Sequence, residues 1–393
     1  MIYVGIDVAK SKHDICALDS QGTILITHLR ISNSLEGFTK LHSQLQNLLD
    51  TTENKSVKIA FEDTGHYCMN LFGFLNNKNY TVIKYNPYLI KEFSKSQSLR
   101  RTKTDKVDAK IIALKLMTDL NPERSQPNAD MEELKILTRH RFRFGRRLAE
   151  FRTQYTRILD IIFPELTSVV SDNHSKYVLE ILKKYPSASQ ISSAHLKSLI
   201  AIIYNASKHR HGKDKANDIR NLAAKSIGSN SAAFELELKQ VIKMIEVLEE
   251  QLAVVDKEIK SLMDKIDSPI LSIPGISYGL GSVILAEIRN IDNFKTPAQL
   301  LAFEGMEPSI YQSGQYEGSG VMVKRGSTYL RWAMYVAARS ICLSSPTFNT
   351  YLEKKRKEGK HYKVALSHVA KKLTRIIFYI LKTGNHFDEN ALL

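Results

Sequence analysis

A chain of 393 residues with 43% apolar residues can bury a large core and predicts two or three domains rather than one. Its 56 lysines and arginines exceed its 41 aspartates and glutamates, and the net charge of +15 favours a polyanionic partner such as nucleic acid. No run reaches the roughly 18 apolar residues of a membrane span, and the amino terminus lacks the apolar stretch of a signal peptide. We therefore expect a cytoplasmic protein without a membrane partner, and its three scattered cysteines indicate reduced core residues.

Strand and helix patterns alternate over the first 120 residues. "IYVGID", "DICALD" and "TILITHLRI" predict three consecutive antiparallel strands. A helix, a strand "VKIAFED", a second helix and a strand "YTVIKYN" follow, and then a helix that contains Asp105 and Asp108. This order predicts a mixed α/β sheet flanked by helices, as in ribonuclease-H-like folds.

The pattern becomes helical and basic after a proline-containing linker at residues 119–130. The next helix interleaves arginines with Phe142 and Phe144, which favours an RNA or DNA face over simple solubility charge. Apolar residues from Leu238 to Leu262 recur every three or four positions and predict a coiled-coil seam. Its partner is either the earlier basic helix or the same helix of another subunit, and residues 166–233 are mostly helical, with no role assigned.

The last third contains a Pro-Gly turn in "LLSIPGISYGLGSVILAEI". A helix-hairpin-helix-like element of this kind can present turn amides to a backbone phosphate. The glycines that follow, from Gly314 to Gly326, predict irregular backbone, and the chain closes on a basic helix, "KVALSHVAKKLTRIIFYILKTG".

Four carboxylates occupy positions from which they can converge. Asp7 and Glu62 end two strands that we expect to be adjacent, and Asp105 and Asp108 share one helical turn. An isolated pair of acids would usually be a solvated helix face, but four converging carboxylates need cations, and an all-oxygen set fits two Mg²⁺ ions. The neighbouring basic residues would attract a nucleic-acid strand: Arg100, Arg101 and Lys103.

Five blocks in this order resemble a known family: "GIDVAK", "FEDTGHY", "TDKVDAKIIA", "IPGIS" and "QSG…KRGSTYLR". The sequence resembles the DEDD transposases of insertion sequences, the one-ten/eleven-eleven group of bridge-RNA-guided recombinases. Residues 166–233 lie outside the resemblance.

The resemblance implies a RuvC-like domain whose Mg²⁺-binding tetrad is matched by Asp7, Glu62, Asp105 and Asp108. It also implies a serine nucleophile, matched by Ser313, that becomes joined to DNA while a partner subunit supplies the metal site. The partners implied are donor and target DNA, a structured non-coding guide RNA and further copies of the chain in a dimer or tetramer. Nucleoid association during the reaction is expected.

The resulting domain prediction is a RuvC-like catalytic domain at 1–120, a helical coiled-coil region at 131–268 and a mainly helical transposase domain at 269–393. Two departures from the family pattern are Ser277, where glycine is usual, and a second Ser-Gly at Ser319 that competes with Ser313. Further nucleic-acid contacts are predicted at these positions: Arg139, Arg143, Arg146, Lys324 and Arg325.

Two other functions remain open. A RuvC-like, structure-specific DNA endonuclease would use the acidic tetrad alone and would not need the carboxyl-terminal blocks. A non-catalytic nucleic-acid-binding protein would not need the tetrad, because uncompensated buried acids are costly.

Overall fold

The computed structural model describes residues 1–51, 56–63, 65–97, 104–120, 128–309, 312–313, 316–317 and 322–390. The chain forms two compact units, Met1–Asn128 and Ala129–Leu393.

The first unit is built on a five-stranded mixed sheet. Its strands are β1 Ile2–Val8, β2 Lys12–Leu18, β3 Ile24–Ser32, β4 Val57–Glu62 and β5 Thr81–Tyr85. They lie in the order β3-β2-β1-β4-β5, with β1, β2 and β3 antiparallel and β1, β4 and β5 parallel. The predicted mixed sheet is confirmed, and it is compatible with a ribonuclease-H-like fold.

Helices cover both faces of this sheet. They are α1 Leu35–Thr51, α2 Met69–Asn77, α3 Pro87–Gln97 and α4 Asp105–Thr118. Side chains alternate along a strand, so Ile2, Val4 and Ile6 of β1 enter one core with α1 and α2. The other face packs against α3 and α4, where Ile112 lies in a core with Ala60. Helix α3 was not predicted.

The second unit is helical apart from one short hairpin within the part of it that the structure describes. Its α-helices are α5 Ala129–Ile162, α6 Lys176–Lys184, α7 Ala188–Ser193, α8 Leu196–Ala206, α9 Lys213–Ala223, α10 Ala232–Ile266, α11 Tyr278–Ile288, α12 Pro297–Glu304, α13 Thr328–Ser344, α14 Pro346–Lys357 and α15 Tyr362–Thr383. The hairpin strands are β6 Gln312–Ser313 and β7 Tyr316–Glu317.

Helices α5 and α10 lie antiparallel along each other. Asp130 at the start of α5 bonds to Lys265 at the end of α10 at 2.7 Å, and Arg157 near the end of α5 bonds to Glu237 near the start of α10 at 2.6 Å. The structure thus shows the first of the two partners left open for the seam, the earlier basic helix.

Two cores lie along this helix pair. Helices α6–α9 pack on one end of it, so the expectation that residues 166–233 are mostly helical is confirmed. Helices α11–α15 pack around the other end.

Of the two arms around the Pro-Gly turn, the second is α11, whereas the first is a single 3₁₀ turn at Pro269–Ser272. Across the described residues, no helix combines the length and apolarity that crossing a bilayer requires.

Leu248 of α10 tests the seam. It is 6% exposed in the core shared with α5, whereas Leu236 of the same helix is 58% exposed. Leu248→Ala should remove about 2–4 kcal/mol and lower the unfolding temperature of the second unit by roughly 5–15 °C, because it leaves a cavity. Leu236→Ala is the control and should change little. Equal shifts for the two variants in a thermal melt would show that Leu248 is not part of a packed seam.

Candidate active site

A row of polar residues crosses the first sheet at one edge. The parallel register pairs Ile6 with Phe61, so Asp7 of β1 and Glu62 of β4 come next to each other, both half-buried. Asp14 of β2 is the cross-strand partner of Asp7. The sheet therefore brings the first two predicted acids side by side.

Helix α4 lies directly on β1. A Cβ atom added to Gly5 would lie 2.2 Å from the carbonyl oxygen of Ala109 and 2.3 Å from the amide nitrogen of Ala113. Only glycine permits this approach of helix and strand backbones. Because Gly5 precedes Asp7 by two residues and Ala109 follows Asp108 by one, the first turn of α4 lies near the end of β1.

The first turn of α4 begins with a cap and two acids. The amide of Val107 donates to the hydroxyl of Thr104, and Asp105 and Asp108 follow in the first turn, where the helix dipole favours negative charge. Asp108 is half-buried and Asp105 is exposed. The amino group of Lys12 donates to Asp105 at 3.0 Å, and a guanidinium nitrogen of Arg30 lies 3.8 Å from the same oxygen.

The four acids have the chemistry of a magnesium site, since every donor is a carboxylate oxygen. Their strand and helix positions bring them to one edge of the sheet. Among the residues that the structure describes, however, no group of three or more histidine, cysteine, aspartate or glutamate side chains is gathered closely enough to hold a metal ion.

Sequence reasoning missed Asp14, a buried acid beside Asp7. Its side chain is 2% exposed and accepts hydrogen bonds from His28 and Arg30, the latter at 2.9 Å. Burial alone would raise the pKa of Asp14, but these two bonds outweigh it and hold the pKa below its ordinary value. The sequence held one clue to Asp14: it is a charged residue in alternation with the apolar Cys16 and Leu18. Both of these pack against α4, so Asp14 lies on the same face of β2.

Ser313 is the last residue of β6 and pairs with Tyr316 of β7. A bridge between Pro308 and Met322 flanks this hairpin. The competing Ser319 lies outside the described residues, as do three basic residues predicted to bind nucleic acid: Arg100, Arg101 and Lys103.

The Lys-Arg-Gly segment after the hairpin is fixed to the end of α12. The amide of Lys324 donates to the carbonyl of Gly305, and a Cβ atom on Gly326 would lie 1.9 Å from the carbonyl oxygen of Phe303. Lys324 and Arg325 are themselves exposed. The segment thus presents two cations from a backbone that is closely packed.

Two family models match this chain. One is described as a transposase and carries the IS110 DEDD name, and it matches residues 4–164; the other, described as the IS116/IS110/IS902 transposase family, matches residues 267–353. The chain belongs to the IS110 family of DEDD transposases. It is accordingly an enzyme of DNA transposition.

Relatives of this transposase match nearly end to end. A 44.8 kDa protein of insertion element IS116 from Streptomyces clavuligerus is 24% identical over 98% of this chain and 96% of its own length. A protein named as a transposase for the IS117 mini-circle of Streptomyces coelicolor is also 24% identical, over 99% of this chain and 95% of its own. A 42 kDa protein of element IS900 from Mycobacterium paratuberculosis is 23% identical over 97% and 96%.

In the transposase, the predicted nucleic-acid residues on α5 differ in their surroundings. Arg139 donates two hydrogen bonds, at 2.8 and 3.1 Å, to Glu287 of α11, whose side chain is 3% exposed. Arg143 and Arg146 are exposed. The ring of Phe142 contacts Tyr329 and Trp332 of α13, so it contributes to the protein's own packing.

Glu287 is held by more than one group. Ser327, the cap of α13, donates to it at 2.8 Å. Burial would raise the pKa of Glu287, but the guanidinium of Arg139 outweighs burial and keeps the pKa below 4.5. Glu304 of α12 shows the opposite result: it is fully buried, has only the Thr374 hydroxyl as a side-chain partner among the described residues, and burial raises its pKa to about 8.

We call the end of the sheet where Asp7 and Glu62 lie beside the first turn of α4 the acid edge, and we expect Gly5→Ala to disrupt it. The added Cβ would push α4 off β1 and cost at least about 1–3 kcal/mol, and it should abolish DNA cleavage because Asp105 and Asp108 move with the helix. Gly73→Ala is the control, since α2 leaves open space around Gly73. Thermal melts and cleavage assays of the two variants should diverge; a fully active, stable Gly5→Ala protein would contradict the packing.

A second expectation concerns the Arg139–Glu287 pair. Since the pKa of Glu287 is lowered in the folded protein, the pair stabilises above about pH 4.5 and that stabilisation is lost as the pH falls. Arg139→Gln removes the guanidinium from the buried Glu287 carboxylate but leaves the Ser327 hydrogen bond, and it should cost about 1–3 kcal/mol at pH 7.

The pH dependence distinguishes this cause from general damage to the fold. The difference in unfolding temperature between wild type and Arg139→Gln should shrink from pH 7 to pH 4, because Glu287 of the variant, without the guanidinium, takes up a proton over this range and no longer carries a buried charge. Arg157→Gln is the control, because both members of its ion pair are exposed and the loss should be below about 1 kcal/mol. A difference that is independent of pH would disprove the electrostatic account.

Proposed function

We propose that this transposase cuts and rejoins the DNA of an insertion sequence with a Mg²⁺-dependent acid site and a serine nucleophile. The observation that carries the acid site is the adjacency of Asp7 and Glu62 at the end of two parallel strands, with the first turn of α4 beside them. The family has DNA as its substrate, and the +15 charge of the chain suits that substrate.

The metal ligands proposed are Asp7, Glu62, Asp105 and Asp108. When bound, two Mg²⁺ ions would offset negative charge on the DNA phosphate and favour an ionised attacking hydroxyl. The acids supply only oxygen ligands. Because Asp7, Glu62 and Asp108 are half-buried, fewer water molecules reach their carboxylates to compete with a metal ion.

The proposed nucleophile is Ser313. Its Oγ forms a bond to phosphorus while the bond from phosphorus to one DNA oxygen breaks, and that oxygen leaves as a hydroxyl with the serine proton. The phosphodiester energy is kept in the protein–DNA bond, so a second DNA hydroxyl can displace Ser313 without an external energy source. The support is the Ser-Gly and Lys-Arg-Gly blocks of the family resemblance, together with the exposed cations Lys324 and Arg325 next to the hairpin.

Site selection is proposed to use a structured non-coding guide RNA, bound in part by Arg143 and Arg146 on α5.

We also propose that the chain assembles into a homo-oligomer, a dimer or tetramer. Three exposed apolar residues at three- and seven-residue spacing on α10 support it: Met244, Val247 and Val254.

The acid site is tested by alanine variants of Asp7, Glu62 and Asp108. Each should abolish Mg²⁺-dependent DNA cleavage and leave RNA binding nearly unchanged, because the acids do not contact the guide. Asp50→Ala, an exposed acid on α1, is the matched control and should cleave normally. Cleavage by Asp7→Ala at the wild-type rate would remove Asp7 from the site.

The nucleophile is tested by denaturing electrophoresis of protein mixed with its co-purifying RNA and labelled donor and target DNA. Wild type should give a covalent protein–DNA band, Ser313→Ala should give neither this band nor recombinant DNA, and Ser319→Ala should be milder. A band that persists in Ser313→Ala would exclude this serine. Cleaved ends without any covalent band in wild type would favour the nuclease alternative.

A further inference from the structure

The acid edge continues into a group of charged residues that the tetrad does not include. Arg30 of β3 is the cross-strand partner of Asp14, which is in turn the partner of Asp7. Arg30, Asp14, Asp7 and Glu62 thus lie in one row across four strands. Lys12 precedes Asp14 by two residues and therefore lies on the same face of β2.

Asp14 fixes the guanidinium of Arg30. The Nε atom of Arg30 donates to the Asp14 carboxylate, whose side chain is 2% exposed, while the Arg30 side chain is 50% exposed. Among the described residues the guanidinium makes no further hydrogen bond, and its second contact is a long ion pair, 3.8 Å, between a terminal nitrogen and the exposed Asp105 carboxylate. A phosphate can compete with so loose and exposed a contact. An anchored guanidinium loses less conformational entropy when it binds a planar or tetrahedral anion.

Lys12 places a second cation beside the first. Its amino group lies 3.0 Å from the Asp105 oxygen that also lies 3.8 Å from Arg30. The side chains of the Lys12–Asp105 pair are 39% and 50% exposed, so water screens the pair and it contributes little to stability. A phosphate can therefore compete for Lys12 at little cost.

We propose that Lys12 and Arg30 form a phosphate-binding pair that contacts the DNA backbone at the acid edge, with Asp14 as the residue that positions Arg30. The inference rests on the proposed function, because it takes this edge to be the place where DNA is cut. Arginine and lysine together suit a phosphodiester: the guanidinium fork can bond two phosphate oxygens, and the ammonium adds a point charge. The alternative is that both cations serve only to stabilise Asp14 and Asp105.

The salt dependence of DNA binding distinguishes phosphate binding by Lys12 and Arg30 from a purely internal role for the two cations. Each phosphate contact that is lost should lower the slope of log K against log salt concentration by about 0.9 on duplex DNA. With the full-length protein and labelled duplex, Lys12→Gln and Arg30→Gln should each lower the slope by about that amount, and the double variant by about twice as much. Binding to two unrelated sequences should weaken equally, since phosphates carry no base identity.

The matched control is Lys40→Gln, which removes one exposed positive charge from α1 on the other face of the sheet. It should leave the slope unchanged. If Lys12→Gln and Arg30→Gln behave like Lys40→Gln, the proposal is overturned. A slope change seen only with the co-purifying RNA, and not with DNA, would also overturn it.

Asp14→Asn tests the positioning role. It should lower the slope by about one contact in the wild-type background and cause no further decrease in an Arg30→Gln background, because it acts through Arg30. Additive effects would show that Asp14 acts by another route. If Asp14→Asn fails to fold, the variants of the partly exposed Lys12 and the exposed Arg30 still decide the phosphate contact.

Binding slopes do not depend on cleavage. They can be measured in Asp7→Ala, so a failure of the tetrad assignment would show as cleavage by that variant, whereas a failure of this inference would show as unchanged slopes.

Discussion

The backbone contact between Gly5 and α4 is the constraint on which the acid edge depends. With no side chain at Gly5, Ala109 and Ala113 can lie against β1 at a separation that any Cβ would prevent. The same contact places the first turn of α4 near the ends of β1 and β4. Two acids from strand ends and two from a helix start can then share one edge, although no single segment of the chain brings them together.

The buried acids differ in whether a cation lies beside the carboxyl group, and this difference decides whether each acid is charged at neutral pH. Asp14 keeps its charge because His28 and Arg30 bond to it, and Glu287 keeps its charge because Arg139 does. The carboxyl group of Glu304 has no cation partner among the described residues, and with a pKa of about 8 it stays largely protonated at neutral pH. Only the first of these lies beside the proposed metal ligands, where an anchored arginine can also face a substrate.

Much of the fold could be predicted because the strands are short apolar runs that end on polar residues. The order of strands and helices along the chain is then compatible with few folds. Asp7 and Glu62 were recognisable as strand-end acids, and Asp105 and Asp108 by their spacing. Asp14 was not, because its partners Arg30 and His28 come from a different strand and the register was unknown. Glu287, the partner of Arg139, lies 148 residues further along the chain, and a pair so distant cannot be predicted from the local sequence pattern.

The central claim is that the edge formed by β1, β4 and α4 holds the catalytic metal. It is tested most directly by anomalous diffraction from crystals of the transposase with DNA and Mn²⁺ in place of Mg²⁺. The account predicts an anomalous peak within about 2.0–2.3 Å of carboxylate oxygens from both Asp7 and Glu62. A peak elsewhere on the protein, with none at this edge at saturating Mn²⁺, would contradict it.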